Sequence, residues 1–136
     1  MKKIILILFL VSLFVSCSKN QDERLQYQFE TIVVKSVVFP TKFAKDSITE
    51  IPMKYILPTN CYGFNGFYYL KEANNRTVAI ETIKYLQNNC TANTTERQDI
   101  LKFKPILTGT YHFKFWKNTT PAGLDEFFEY DAVVSH

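Results

Sequence analysis

From Leu25 onward, hydrophobic and polar residues alternate with a period of two, the pattern of strands that cover one face. Leu25, Tyr27 and Phe29 alternate with Gln26, Gln28 and Glu30, and the run continues through Ile32, Val33 and Val34 to Phe39 and Pro40. This predicts a first strand or a split strand. Ile51, Met53, Tyr55 and Leu57 alternate with Glu50, Pro52 and Lys54 in a second strand, where Pro52, having no N–H to donate, points to an edge or a bulge. Gly63 to Glu72 and Arg76 to Leu86 form a third and a fourth, hinged at Ala73-Asn74-Asn75, and Leu101 and Phe103 between Lys102 and Lys104 mark a fifth.

The last two strands can be set in register. Tyr111, Phe113 and Phe115 share one face of their strand, Phe128 and Tyr130 share one face of theirs, and a turn at Asn118 to Gly123 joins the two segments. Pairing Phe113 with Phe128 and Tyr111 with Tyr130 sets ring against ring, worth roughly 0.2 to 1 kcal/mol per pair. The same register sets His112 opposite Glu129 and Lys114 opposite Phe127.

About seven strands with turn residues between them resemble an immunoglobulin-like antiparallel β-sandwich, an all-β fold; a small antiparallel β-barrel is the alternative. The segment from Phe103 to Phe113 adds to the resemblance, because Gly109-Thr110-Tyr111 is similar to the entry into the penultimate strand of many bacterial immunoglobulin-like domains. That resemblance implies a tyrosine corner, with Tyr111 bonding back to the preceding loop.

The first 16 residues break the alternation. Met1, Lys2 and Lys3 precede an apolar run from Ile4 to Val15 interrupted only by Ser12, which is short of the ~20 residues of a membrane-spanning helix and has the order of a secretory signal. Leu13-Phe14-Val15-Ser16-Cys17 resembles the lipobox of bacterial lipoproteins, which implies cleavage before Cys17 and acylation of that cysteine. Several acyl chains, at ~0.8 kcal/mol per buried methylene, hold a protein on a membrane where one does not. Residues 17–24 are polar and charged and read as a lipidated flexible tether. Asp22 and Glu23 loosely resemble the acidic signal that sends Bacteroidota lipoproteins to the outer face of the outer membrane. The expected organisation is a signal peptide over 1–16, the tether over 17–24 and the β-sandwich over 25–136.

Assigning Cys17 to lipid leaves Cys61 and Cys90. Outside the cytoplasm such a pair is expected to form a disulfide. The two residues flank the hairpin hinged at Ala73 to Asn75 and lie within a small bulge of direct opposition, and closing the loop is worth about 3 to 4 kcal/mol. A bridge across one hairpin departs from the antibody pattern, in which the bridge links the two sheets.

Composition narrows the chemistry. A formal charge of +3, from 16 basic and 13 acidic residues, drops to near +1 once Lys2 and Lys3 are removed, which gives no clustered basic face for nucleic acid. The histidines, His112 and His136, supply neither a metal-ligand set nor a catalytic triad, so no metal and no cofactor is expected. Asp125, Glu126, Glu129 and Asp131 could be assembled into a carboxylate pair, but alternation sends Asp125, Glu129 and Asp131 to the solvent face and Glu126 to the other, at a strand end, so they read as a solvated face.

A binding reading fits better. Trp116 shares the outward face of its strand with His112 and Lys114, and Tyr62, Phe64, Phe67, Tyr68 and Tyr69 put rings on both faces of the third strand; together they suggest a stacking platform for sugar or peptide. Asp46-Ser47-Ile48 resembles the acceptor for O-linked glycans on exported Bacteroidota proteins, with Ser47 as the acceptor. The Asn-x-Thr sites at Asn75, Asn89, Asn93 and Asn118 read as polar turns. The expected protein is a lipid-anchored, non-catalytic binding or structural module on the outer membrane, held there through Cys17 and carrying a protein or glycan partner. The alternative is a secreted-enzyme inhibitor acting through a loop such as Asn88 to Arg97; an enzyme with a loop-borne carboxylate site is a third.

Overall fold

The computed structural model describes residues 26–136, which form nine strands: β1 (Tyr27–Ile32), β2 (Ser36–Val37), β3 (Phe43–Ala44), β4 (Thr49–Ile56), β5 (Tyr62–Glu72), β6 (Asn75–Tyr85), β7 (Glu96–Phe103), β8 (Gly109–Thr119) and β9 (Asp125–Ser135). The expected signal, the acylated Cys17 and the tether lie outside the described residues. Seven strands have six or more residues, and β2 and β3 have two each.

The strands make two sheets, neither closed on itself, so the fold is a β-sandwich and not a barrel. In the large sheet β6 pairs with β5 along one edge, while its other edge is shared by antiparallel β1 (Tyr27↔Tyr85 to Ile32↔Ile80) and parallel β8 (Asn75↔His112 to Val78↔Phe115). β9 pairs antiparallel with β8 and parallel with β3. The small sheet runs β2-β4-β7. Two pairings are therefore parallel in an otherwise antiparallel sandwich.

The core fills the space between the sheets. Ile51, Met53 and Tyr55 from the small sheet, Leu57 just after β4, and Val78, Ile80, Tyr111, Phe113 and Phe115 from the large sheet are buried. Each such side chain contributes roughly 1.5 to 3 kcal/mol by leaving water. Phe39 enters from the loop after β2 and stacks on Tyr130 at 4.7 Å, with its edge toward Phe113 and Phe115. The Tyr111 hydroxyl donates to the Leu107 carbonyl at 3.2 Å, which is the corner that the Gly-x-Tyr segment implied.

Five details differ from the sequence reading. Pro52 sits in the central strand of the small sheet; its carbonyl accepts from Val38 N at 2.9 Å, so its missing donor faces the two-residue β2, whose pairing stops at Val37↔Met53. The β8–β9 register is shifted by two: Phe113 faces Tyr130, Tyr111 faces Ala132, His112 faces Asp131 and Lys114 faces Glu129. A shift of two keeps every ring on its face. The turn centres on residues 121–123, because Pro121 presets the first bend and Gly123 supplies a φ of 80°, with Gly123 N donating to Thr120 O, and a bulge between Trp116 and Asn118 takes back one residue to leave the net shift of two.

The third difference is in β5, where a bulge between Phe64 and Gly66 switches the alternation. Gly66 takes a φ of 132°, a conformation that side chains resist. As a result Tyr62, Phe64, Phe67 and Tyr69 all pack against the core, and Tyr68 alone among the five rings points outward. The fourth is β1, which inverts the expected polarity: Tyr27 and Phe29 are exposed, and Glu30 points into the open end of the sandwich. There Tyr62 Oη donates to Glu30 at 2.5 Å and Lys84 Nζ at 3.1 Å. Tyr62's hydroxyl, and secondarily Lys84, hold the Glu30 carboxyl below its ordinary range against the opposing effect of burial. Of the Asn-x-Thr sites, Asn75 opens β6 and Asn118 lies near the end of β8, so these two are strand residues and not turns.

Candidate binding face

Strand alternation sends Tyr111, Phe113 and Phe115 of β8 into the core and His112, Lys114 and Trp116 outward, as the sequence implies. Three neighbouring strands complete the surface around Trp116. Tyr68 of β5 faces Ala79 of β6, the parallel register Val78↔Phe115 brings Ala79 beside Trp116, and Trp116 faces Phe127 of β9. Tyr68, Ala79, Trp116 and Phe127 thus form a row across the outer face of the large sheet.

The one small residue in that row makes a depression. Ala79 and Thr77 are its floor, Tyr68, Trp116 and Phe127 its walls, and Thr31 and Asp125 close its ends around about 260 Å³. The indole is held in place: Trp116 Nε1 donates to Asp125 Oδ1 at 3.1 Å, and Thr119 Oγ1 donates to the same oxygen at 2.7 Å. The arrangement offers ring faces for stacking, with hydroxyls and a carboxylate at the rim.

The rest of the face is polar. His112 Nδ1 lies 2.6 Å from Asp131 Oδ1, and Lys114 Nζ lies 3.9 Å from Glu129 and 5.9 Å from the Phe127 ring centre. His112 therefore pairs with Asp131, a partner that the sequence register missed by two residues. Asp125, Glu126, Glu129 and Asp131 are all exposed.

The sequence places Tyr68 among the candidate rings without singling it out from its four neighbours, whereas Ala79 joins Trp116 through strand order and Phe127 through the two-residue register shift of the β8–β9 hairpin. The local signal for Tyr68 was the unbroken ring cluster in β5, which cannot alternate without a bulge.

The expected disulfide is present. Cys61 and Cys90 are joined with Cα atoms 5.5 Å apart, tying the loop after β6 to the start of β5. Asn60 Oδ1 accepts from Thr91 N at 2.9 Å, and Thr59 and Ala92 form a bridge, so this exposed loop is pinned at several points. Ser47 is exposed in the connection between β3 and β4, next to Asp46, whose φ is 61°.

Comparison with known proteins gives no match to a family, a curated protein or a solved structure.

Proposed function

We propose that the chain is a lipid-anchored, non-catalytic binding or structural module of the cell envelope, contacting its partner through the outer face of the large sheet. The observation that carries this reading is the row Tyr68–Ala79–Trp116–Phe127, in which three rings flank one methyl group. The geometry favours a glycan: apolar ring faces stack on the C–H face of a sugar, while Thr31, Thr77 and Asp125 offer hydrogen bonds to its hydroxyls. The lipobox ending at Cys17 supports the anchor on the outer membrane, and the Cys61–Cys90 bridge fits an oxidising location. Ser47, exposed in its turn, is an O-glycan acceptor in the same reading.

A glycan array probed with the full chain and with Trp116→Ala tests the face. Binding to a subset of glycans that disappears in the variant is expected; equal binding by both proteins contradicts it. Intact-mass analysis of protein extracted from its native membrane tests the anchor, with acyl mass on Cys17 expected and a free thiol there contradicting it.

The pinned, exposed loop over residues 86–95 supports a second reading, a secreted-enzyme inhibitor that presents this rigid segment. Inhibition of a panel of secreted hydrolases that is lost on reducing the disulfide would favour it over the first.

A further inference from the structure

Where the edge strands β5 and β7 face each other, the sandwich opens into a cleft of about 600 Å³ on the side of the large sheet opposite the Trp116 row. Its walls are largely apolar and aromatic, with Phe67, Tyr69, Leu101, Phe103 and Tyr111 among them. All of the charge in its lining is positive, from Lys71, Arg76, Lys102 and Lys104, and no carboxylate lines it.

Arg76 is the centre of this cluster. It is 9% exposed and held from three sides: Nη1 donates to the carbonyls of Ala73 and Asn75, each at 2.7 Å, and the guanidinium lies 4.9 Å from the Tyr111 ring centre. Its Nε is buried with no hydrogen-bond partner among the described residues. A buried, unsatisfied donor on a cation is costly. Register adds a second anomaly, because Lys71 is the direct cross-strand neighbour of Arg76 on the inner face of the sheet. Like charges in that position repel. Holding the Ala73–Asn74 turn explains Nη1, but it explains neither the free Nε nor the juxtaposed lysine.

We propose that this cleft binds a small organic oxyanion, a carboxylate or phosphate monoester on an apolar body, with the head group between Arg76 and Lys71 and the body against Phe67, Tyr69 and Phe103. An oxyanion neutralises the juxtaposed pair, and a planar guanidinium already fixed in place loses little freedom on binding. Lys102 and Lys104 at the mouth supply attraction at longer range.

Calorimetric titration of the full chain with octanoate, hexyl phosphate, octanol and inorganic phosphate tests the proposal. Octanoate or hexyl phosphate is expected to bind saturably, at least tenfold more tightly than octanol or inorganic phosphate, and at least tenfold more weakly to Arg76→Gln. Because Arg76 also supports a turn, Lys71→Gln provides a second arm: it is expected to weaken the anion severalfold while raising the melting temperature of the ligand-free protein, since it relieves repulsion. No binding of either anion, equal binding of octanoate and octanol, or unchanged affinity in Lys71→Gln would overturn the proposal. Tighter binding of octanoate identifies a carboxylate source, and tighter binding of hexyl phosphate a phosphate ester.

Discussion

The Tyr111 hydroxyl reaches back to the carbonyl of Leu107, four residues upstream, and closes the corner through which the chain enters β8. Tyr111 is 3% exposed, and its ring also packs against Phe103 and carries the Arg76 guanidinium. Tyr111→Phe removes the hydroxyl and keeps the ring. The expected loss is about 1 kcal/mol, the net worth of one such bond, seen as a lower urea midpoint with an unchanged slope. Tyr111→Ala is expected to cost about 3 to 5 kcal/mol through the cavity it leaves.

The Cys61–Cys90 bridge constrains a loop with a sequence separation of 29. Replacing both cysteines by alanine is expected to lower stability by about 3 to 4 kcal/mol, measured by urea unfolding against the oxidised protein. The loop over residues 86–95 should lose amide protection before β5 and β6 do, because its other ties are a few hydrogen bonds.

Much of this architecture was legible in the sequence, for local reasons. Ile51, Met53, Tyr55 and Leu57 alternate cleanly and are all buried, and Gly109-Thr110-Tyr111 announces its corner. The parts that were not legible depend on distant partners. Nothing near Tyr27 and Phe29 says that they face outward, because that follows from Glu30 being taken up by Tyr62 and Lys84 from β5 and β6. The β8–β9 register was legible only to within two residues, because a shift of two leaves every ring on its face and pairs Phe113 with a ring either way. Trp116 was visible as a contact residue, but bringing Tyr68 beside it depends on β6 lying parallel to β8, which no periodicity encodes, and Phe127 faces it only in the shifted β8–β9 register.

Glu30 gives the fold a pH dependence of definite sign. Its carboxyl lies below the ordinary value of 4.5 in the folded protein, with the Tyr62 hydroxyl as the main cause and Lys84 as a lesser one. The stabilisation is therefore complete above about pH 4.5 and is lost as pH falls through the lower folded value. Urea midpoints measured from pH 7 down to pH 3 should fall more steeply for the native chain than for Glu30→Gln. Parallel curves would show that Glu30 contributes nothing to acid sensitivity.

Gly66 carries the bulge that turns four of the five β5 rings inward. With a φ of 132° and open space where a Cβ would project, Gly66→Ala meets no clash and its cost is backbone strain, about 1 to 3 kcal/mol. Thermal unfolding of this variant beside Gly63→Ala separates the two kinds of cost, because at Gly63 a Cβ would stand 3.3 Å from Ile83 Cγ2.

The contact face can be read through its own reporter, since Trp116 is the only tryptophan in the chain. Its emission can be followed while the full chain is titrated with cellotetraose, chitotetraose and mannotetraose. A saturable change with at least one of these sugars, abolished in Tyr68→Ala, is the predicted result. Emission that stays unchanged with all three, or that responds identically when Tyr68 is removed, would contradict a sugar-stacking face.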